Sequence, residues 1–205
     1  MRILIFGPPG AGKGTIAKAI SLEFKLAHLS TGDMIRNEIS SKSSLGTQMN
    51  KLISQGNLIP DNMITTILKK YLPKDNFILD GYPRTIPQAE ILTTLTKIDK
   101  VLFLDVTNKE IIDRLTQRTQ CTKCGKIYGK DWPPKNPKVC DTCKGEIIHR
   151  SDDNEEVILH RIKVYQEQTT PLFNYYKKEL IKINGNRKIE FVLKDVKNSL
   201  KWLKY

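Results

Sequence analysis

A chain of 205 residues with 39% apolar and 27% charged residues can bury one hydrophobic core, which predicts one main domain. No apolar run approaches the roughly 18 residues that cross a bilayer, and the run at 3–6 is too short for the core of a signal peptide. These limits exclude membrane-spanning helices and favour a soluble cytoplasmic protein. The net charge of +12 fits either a nucleic-acid partner or a surface coated with lysine.

The hydrophobic pattern predicts strands that alternate with helices along the chain. Nearly continuous apolar runs, typical of strands buried on both faces, occur at 1–7, 77–80 and 101–106. Apolar residues with helical spacing occur at about 16–24, 61–72, 87–96 and 108–119. A last strand is predicted at 189–193, before an amphipathic helix at about 195–204. This alternation predicts a doubly wound α/β domain built on a parallel sheet.

Two stretches interrupt the alternation. Residues 30–59 contain helical pieces rich in Ser, Lys and Asn with no strand between them, and residues 119–150 contain all four cysteines. We expect each stretch to be an insertion on a strand-to-helix connection. The remaining segments, 1–29, 60–118 and 151–205, would then form the core domain.

A glycine-rich segment follows the first predicted strand. Residues 7–13 have the sequence G-P-P-G-A-G-K, which matches the phosphate-binding pattern G-x-x-x-x-G-K. Glycines let successive backbone N–H groups turn inward, and the N-terminus of the following helix attracts a polyphosphate. Position 14 is Gly, so the hydroxyl of the general pattern comes one residue later, at Thr15. The alternative is a glycine-rich turn without a ligand, but the flanking elements and Lys13 favour a nucleotide site.

The form G-P-P-G-A-G-K-G-T of residues 7–15 resembles the loop of the adenylate kinases, a family of P-loop nucleoside monophosphate kinases. The resemblance extends over nearly the whole chain, to about residue 192. It implies reversible, Mg²⁺-dependent phosphoryl transfer from ATP to AMP, giving two ADP. It also implies a P-loop α/β core with a small helical AMP-binding insertion at 30–59 and a zinc-bearing lid at 119–150. The loop residues implied to contact ATP are Gly10, Ala11, Gly12, Lys13, Gly14 and Thr15.

Two further motifs correspond to the acceptor side of that family. Residues 30–36, S-T-G-D-M-I-R, resemble its S-T-G-D-x-x-R motif, and residues 80–84, D-G-Y-P-R, resemble its D-G-[FY]-P-R motif. The residues implied to bind AMP are Thr31, Arg36, Asn57, Leu58, Ile59, Gly81, Arg84, Gln88, Arg150 and Arg161. The resemblance also implies a cis bond before Pro83 and a water-mediated contact of Asp80 to Mg²⁺, an ion that keeps several waters. Taken singly, Ser30 or Thr31 could equally cap a helix, and Arg36 could be a solvated helix residue.

Arginine is scarce in this chain, because Lys outnumbers it by 26 to 8. Six of the eight arginines nevertheless fall on positions where the family binds phosphate or base: Arg36, Arg84, Arg114, Arg118, Arg150 and Arg161. Arg114 and Arg118 lie four residues apart on one predicted helix, and the resemblance assigns them to ATP, with Ile127, Tyr128 and the backbone of Arg187. It assigns catalysis to Lys13, Arg84, Arg118, Arg150, Arg161, Asp152 and Asp153. The spacing from Asp152 to Glu155 also predicts a capping box at a helix start, and we expect the two aspartates to serve both roles.

No histidine is expected to act in this chemistry. An acceptor phosphate is already ionised at neutral pH, so the protein has to align two highly charged nucleotides and stabilise the charge that develops. Arginine and lysine provide that stabilisation. His28, His149 and His160 are therefore interpreted as incidental.

The four cysteines form two C-x-x-C pairs, Cys121 with Cys124 and Cys140 with Cys143. Pairs separated by 15 residues are typical of a tetrahedral zinc site, and four thiolates leave no open position for catalysis. Two disulfides or four free thiols are the alternatives, and a reducing cytoplasm disfavours the disulfides. In 118–150, eight basic residues outnumber three acidic ones. The segment is therefore a basic flap suited to closing over a polyphosphate.

Two other functions stay open at this stage. A nucleic-acid-binding NTPase would use the positive charge, but it would leave the acceptor motifs without a role, so nucleic acid is not the expected partner. A kinase for UMP or CMP, or an AMP kinase that uses GTP, is a closer alternative. Thr31 and Gln88 favour AMP, whereas the sequence does not fix the donor base. ATP, AMP and ADP are the expected ligands, and the resemblance implies a monomer without excluding an oligomer.

Overall fold

The computed structural model describes residues 1–41 and 43–201. Within these residues the strands are β1 (Arg2–Phe6), β2 (Ala27–Ser30), β3 (Phe77–Asp80), β4 (Lys100–Asp105), β5 (Thr119–Cys121), β6 (Ile127–Tyr128), β7 (Ile147–His149) and β8 (Leu180–Asn184). A parallel sheet has the order β2-β3-β1-β4-β8, and a small antiparallel sheet has the order β6-β5-β7. β1 therefore lies at the centre of the large sheet.

Helices cover both faces of that sheet. They are α1 (Lys13–Phe24), α2 (Thr31–Ser40), α3 (Ser44–Ser54), α4 (Asp61–Tyr71), α5 (Ile86–Leu95), α6 (Asn108–Thr116), α7 (Glu155–Val164), α8 (Leu172–Tyr175) and α9 (Ile189–Lys201), with a π-helical turn at Tyr165–Thr169. Ile3 and Ile5 pack with α1, α6, α7 and α9, whereas Leu4 and Phe6 pack with α4, α5 and α8. Neighbouring strand residues point to opposite faces, so β1 is buried on both sides and needs a continuous apolar sequence. The predicted doubly wound α/β fold is confirmed.

The two edge strands, β2 and β8, were not predicted from the sequence. Each is only partly buried, and β8 carries an exposed lysine, Lys182, in its middle. Neither strand has the continuous apolar run that marks β1, β3 and β4. An edge strand needs less burial, so its sequence carries a weaker signal.

The strand predicted at 189–193 is wrong, because these residues form the first turn and a half of α9. Alternating apolar residues suggested a strand, but the Phe191 side chain is 51% exposed. The buried residues are instead Val192, Val196 and Leu200, which recur every four positions and pack on the core. The predicted end of this helix, at 204, lies outside the described residues.

The connections that carry the two insertions differ in kind. α2 and α3 occupy the segment between β2 and α4, a strand-to-helix connection, as predicted. Residues 119–150 instead connect α6 to α7, so the predicted strand-to-helix position is wrong there. α6 ends at Thr116, earlier than predicted, because Thr119 already pairs with Tyr128 in the small sheet. Arg114 and Arg118 therefore do not share one helix.

The backbones of α2 and α3 nearly touch at Gly46. A Cβ atom built on Gly46 would lie 2.2 Å from the carbonyl oxygen of Glu38 and 2.9 Å from its carbonyl carbon. Gly46 N also donates to the Oγ of Ser43, which caps α3, at 2.9 Å. The missing side chain of Gly46 therefore sets the distance between the two helices.

We expect Gly46→Ala to destabilise the fold by about 1–3 kcal/mol, because backbone atoms have to move to admit the methyl group. This cost opposes the gain in helix propensity, which is about 1 kcal/mol. Urea denaturation measures the difference in the free energy of unfolding. Gly129→Ala is the matched control, because a Cβ atom there has no heavy atom within 4 Å. Equal stability of the Gly46 variant and the wild type would contradict the close packing.

Candidate active site

The glycine-rich segment joins the carboxyl end of β1 to the N-terminus of α1. Gly12 is the N-cap of α1, with a φ of 85° and no side-chain capping bond. Glycine tolerates this left-handed conformation, which strains residues that carry a Cβ atom. The first N–H groups of a helix have no acceptor within the helix, so those of α1 can bind an anion.

Lys13 extends over this loop. Its Nζ donates hydrogen bonds to the carbonyl oxygens of Gly7 and Pro8, each at 2.8 Å. Burial lowers the pKa of Lys13 to about 7; the nearby arginines lower it too, whereas Asp80 opposes the shift. A polyphosphate beside this amine would stabilise its charged form.

Asp80 is the last residue of β3 and lies beside the loop. In the sheet it is aligned with Ile5 of β1 and Ser30 of β2, and it is 8% exposed. Burial raises the pKa of Asp80, and Lys13 acts against that increase. A Cβ atom on Gly14 would lie 3.3 Å from Asp80 Oδ2, so the carboxylate faces the first turn of α1. His28 Nε2 lies 4.0 Å from the same oxygen, a proximity that the sequence could not indicate while β2 was unpredicted.

A small pocket adjoins Asp80, whose carbonyl oxygen accepts a hydrogen bond from Thr31 Oγ1 at 3.1 Å. It is lined by Thr31, Ile35, Leu58, Ile59, Ile64, Gly81, Arg84 and Gln88. Six of these residues were predicted to bind AMP; Ile35 and Ile64 were not. Helical spacing marks such isoleucines as buried, but only the fold shows that they border a pocket.

Arg84 is the charged residue of this pocket. The bond between Tyr82 and Pro83 is cis, as predicted. Arg84 N donates to Gln88 Oε1 at 2.7 Å and Arg84 Nε donates to the carbonyl oxygen of Gly81 at 2.8 Å. Burial lowers the pKa of Arg84, and the nearby Arg161 lowers it further. A buried guanidinium group bonded to a neutral carbonyl is suited to receive an anion.

Four residues predicted to bind AMP do not line the pocket: Arg36, Asn57, Arg150 and Arg161. Arg36 forms an ion pair with Asp33 on its own helix, and its side chain is 39% exposed. Ser30 caps that helix by accepting from Asp33 N at 3.2 Å, which confirms the capping interpretation of the motif. Asn57 Oδ1 lies 2.9 Å from His160 Nε2.

Two aspartates hold arginines on both sides of the cysteine-containing segment. Asp153 forms a two-pronged pair with Arg118, at 2.7 and 2.6 Å, and its Oδ1 also accepts from Arg161 Nη1 at 3.2 Å. Asp152 Oδ2 accepts from the same Arg161 nitrogen at 2.8 Å. Arg150 Nε donates to Gln120 Oε1. Burial lowers the pKa of Arg150, and Arg118 lowers it further.

The predicted capping box from Asp152 to Glu155 is wrong. The N-cap of α7 is Asn154, whose Oδ1 accepts from Val157 N at 3.0 Å. Asp152 cannot serve as the cap because its carboxylate is committed to Arg161.

Arg114 connects α6 to the loop that follows β8. Its Nη2 donates to the carbonyl oxygen of Gly185 and its Nε to Glu110 Oε1, both at 2.8 Å. Arg187 pairs with Asp195. An open cavity adjoins this loop, lined by Thr107, Lys109, Glu110, Asp113 and Asn186. Sequence reasoning missed these lining residues because the position of the loop depends on β8.

Ile127 and Tyr128 are neighbours in β6, but only the side chain of Ile127 faces solvent. The Ile127 side chain is 41% exposed, whereas Tyr128 is buried. Tyr128 OH donates to Cys140 Sγ at 3.3 Å and accepts from Asp141 N at 2.9 Å. The ring of Tyr128 therefore belongs to the interior of the cysteine-containing segment, and Ile127 is the outward-facing side chain.

The four cysteine sulfurs converge on one point. All four lie within 4.8 Å of one another, with 3.4 Å between Cys121 and Cys143 and 3.6 Å between Cys124 and Cys140. These separations exceed the S–S bond length of about 2.0 Å, so the disulfide alternative is not observed. Zinc–sulfur bonds of about 2.3 Å would place the sulfurs of a tetrahedral site about 3.8 Å apart. The cysteine set therefore fits a four-thiolate zinc site.

These features together define a class of protein. A central parallel strand leads through a glycine-rich loop that ends in Lys13 into a helix, and Asp80, Arg84, Arg118 and Arg161 lie close enough to affect the pKa of that lysine. This arrangement is that of the P-loop α/β nucleotide-binding proteins.

Comparison with known proteins narrows the class. A profile described as "Adenylate kinase" matches residues 5–181. The chain is 42% identical to an adenylate kinase of Petrotoga mobilis, with 98% of each chain covered. It is 44% identical to one of Methanothrix thermoacetophila, again with 98% of each covered. The chain belongs to the adenylate kinase family.

No helix among residues 1–41 and 43–201 combines the length and the apolar character needed to cross a membrane.

Proposed function

We propose that this protein is an adenylate kinase, which reversibly transfers the γ-phosphoryl group of ATP to AMP and releases two ADP. The observation that carries the proposal is the pocket containing Thr31, Arg84 and Gln88, which adjoins Asp80 through the hydrogen bond from Thr31 Oγ1 to the Asp80 carbonyl oxygen, while the Asp80 carboxylate faces Gly14 of the phosphate loop. An acceptor pocket beside a donor phosphate loop is what phosphoryl transfer between two nucleotides requires. The relatives named above carry the same activity in their names.

In the proposed reaction, an oxygen of the AMP phosphate attacks the γ-phosphorus of ATP. The bond from that phosphorus to the bridging oxygen breaks, and ADP leaves with the electron pair. Lys13 and the α1 N-terminus hold the donor phosphates, and Arg84 holds the acceptor phosphate. Arg118, Arg150 and Arg161 stabilise the charge on the transferred group, and Asp152 and Asp153 keep Arg118 and Arg161 in place.

Asp80 is suited to a water-mediated contact with Mg²⁺. Its carboxylate is buried beside the first turn of α1, where the donor phosphates would lie. A magnesium ion bound with the nucleotide neutralises phosphate charge, and it is held by few carboxylates and several waters. Asp80 supplies one such carboxylate.

Gln88 can read the acceptor base although its amide already has two partners. Its Oε1 accepts from Arg84 N, and its Nε2 donates to Asp61 Oδ1 at 2.6 Å. A primary amide has a second lone pair and a second N–H, and these match the donor and acceptor edge of adenine. Asp61 fixes which end of the amide carries the donor.

The remaining assignments belong to the same proposal. Arg114, Ile127 and the backbone of Arg187 contact ATP, and Tyr128, whose ring is buried, contributes its backbone. Arg36 and Asn57 reach AMP by rearranging from the ion pair and hydrogen bond described above. The core consists of 1–29, 60–118 and 151–205, the AMP-binding insertion of 30–59 and the lid of 119–150. The protein acts as a cytoplasmic monomer; the four unbridged thiols suit a reducing compartment.

We also propose that Cys121, Cys124, Cys140 and Cys143 hold a structural zinc ion. The hydrophobic cluster of the lid is small: apart from cysteines it contains only Tyr128 and Ile147 among the described residues. So little apolar burial cannot order some thirty residues alone. A zinc site contributes on the order of 10 kcal/mol to local folding.

A coupled assay that crosses ATP, GTP, CTP and UTP with AMP, GMP, CMP and UMP tests the function. We expect the highest kcat/KM with AMP as the acceptor, because Thr31 and Gln88 suit adenine, and with ATP as the donor, because the relatives are named adenylate kinases. A higher kcat/KM with UMP or CMP would contradict the acceptor, and a higher value with GTP would contradict the donor.

We expect Arg84→Lys to lower kcat by roughly 10²-fold, because lysine keeps the charge but loses the two-pronged geometry. Steady-state kinetics with both substrates saturating measures the effect. Arg2→Lys is the matched control, because Arg2 lies at the amino end of β1, opposite the glycine-rich loop, and pairs with Asp99. Near wild-type turnover of a folded Arg84→Lys protein would show that Arg84 does not act on the phosphate.

Replacing Cys140 and Cys143 together by Ser should release zinc and lower the midpoint of thermal unfolding. Activity should survive at low temperature, because Lys13 and Arg84 lie outside the lid. Zinc content, unfolding midpoint and turnover are measured on the same protein, with Thr142→Ser as control. A metal-free variant that melts like the wild type would contradict the structural role. A folded variant without activity at any temperature would indicate a catalytic metal.

A further inference from the structure

A hydrogen bond from a distant helix fixes the backbone of Arg84. Thr169 is the last residue of the π-helical turn Tyr165–Thr169, which directly follows α7. It is 6% exposed, and its Oγ1 donates to the carbonyl oxygen of Arg84 at 2.9 Å. The two residues are 85 positions apart in the chain. No sequence motif pointed to Thr169.

This bond completes the fixation of the Arg84 main chain. Its N–H group is bonded to Gln88 Oε1 and its carbonyl to Thr169 Oγ1, while Nε is bonded to Gly81 O. Gln88 is itself buried and bonded to Asp61. Without the threonine hydroxyl, the main chain of Arg84 would keep only the hydrogen bond from its N–H group to Gln88 Oε1.

The π-helical turn explains how Thr169 reaches this position. Thr170 N donates to the carbonyl oxygen of Tyr165 at 3.1 Å, a bond that spans five residues. Such a turn acts as one extra residue inserted into an α-helix. Arg161 of α7 and Thr169 are eight positions apart, and the insertion reduces this to the equivalent of seven. Residues at that spacing share one helix face. Arg161 and Thr169 therefore lie on the same helix face. From that face Arg161 donates to Asp152 and Asp153, and Thr169 donates to the carbonyl oxygen of Arg84.

We propose that Thr169 is a positioning residue for phosphoryl transfer: its hydroxyl sets the place of Arg84 relative to Arg161, so that both guanidinium groups meet the acceptor phosphate. The proposal rests on the function proposed above. The two arginines already lie close enough for Arg161 to lower the pKa of Arg84. Small displacements between groups that act on one phosphate reduce rates strongly.

A purely structural hydrogen bond would have different consequences from a positioning one. Loss of a structural bond lowers stability and affects both substrates alike. Loss of a positioning bond acts on the acceptor side, where Arg84 lies, and leaves the phosphate loop with Lys13 unchanged. The two cases are therefore separated by the kinetics of each substrate.

Three variants test the proposal. Thr169→Val keeps the shape of the side chain and removes the hydroxyl, and Thr169→Ser keeps the hydroxyl. Thr170→Val is the matched control, because Thr170 Oγ1 donates only to Gln166 within the same turn. For each protein, kcat, the KM of AMP, the KM of ATP and the unfolding midpoint are measured well below that midpoint.

We expect Thr169→Val to lower kcat/KM for AMP about tenfold, while the KM of ATP changes by less than about twofold. Thr169→Ser should retain at least about half of the wild-type value, and Thr170→Val should match the wild type. The proposal is overturned if Thr169→Val equals the wild type, if both substrates are affected equally, or if the serine variant behaves like the valine variant.

The proposed function and this inference fail separately. If the wild type does not phosphorylate AMP, the proposed function is wrong, and the same comparison is made with whichever monophosphate the wild type accepts. If the wild type does phosphorylate AMP and Thr169→Val behaves like the wild type, the inference about Thr169 is wrong and the function stands.

Discussion

The candidate active site is organised by repulsion between positive charges that the fold buries close together. The amine of Lys13 is influenced by the guanidinium groups of Arg84, Arg161 and Arg118, and Asp80 is the carboxylate that opposes them there. Burial disfavours each charged form, as the lowered pKa values of Lys13, Arg84 and Arg150 show. A polyphosphate offers these groups the counter-charge that the protein does not provide. The site is thus arranged for a highly charged anion rather than for proton transfer.

Keeping such groups in place requires anchors that neutralise or bond them without filling the phosphate positions. Asp153 does this for two arginines at once, because it lies buried between Arg118 and Arg161. Arg118 precedes the cysteine-containing segment 119–150 and Asp153 follows it, so their ion pair joins the two ends of that segment. Next to it, Thr119 of β5 is aligned with His149 of β7. The same contacts that orient the arginines therefore fix where the cysteine-containing segment leaves the large sheet and its helices.

The cysteine-containing segment itself depends on a different interaction. Its interior contains Cys121, Tyr128, Cys140 and Ile147, so sulfur atoms take the place that aliphatic side chains occupy in a larger core. Tyr128 illustrates the consequence, because its hydroxyl serves Cys140 and the backbone of Asp141. Basic residues can then occupy the outside of this segment, because an interior built on the four cysteines does not need those positions for burial.

The sequence by itself determined the features that depend on neighbouring residues. It predicted the glycine-rich loop with Lys13, the paired cysteines, the central strands with their continuous apolar runs, and the helices α1, α4, α5 and α6 to within about three residues at each end. Its motifs also pointed to four residues of the pocket beside Asp80: Thr31, Gly81, Arg84 and Gln88. Only the tertiary structure decided the edge strands β2 and β8, the early end of α6, the capping of α7 by Asn154, the ion pair that holds Arg36, and the bond from Thr169 to Arg84. Each of these features depends on which partner a residue meets. Asp152 cannot cap a helix while Arg161 binds its carboxylate. Residues 189–193 form a helix because that structure buries Val192 together with Val196 and Leu200 against the core. Local spacing records what a segment can do, but the partner that it meets after folding decides which of those options has the lowest free energy.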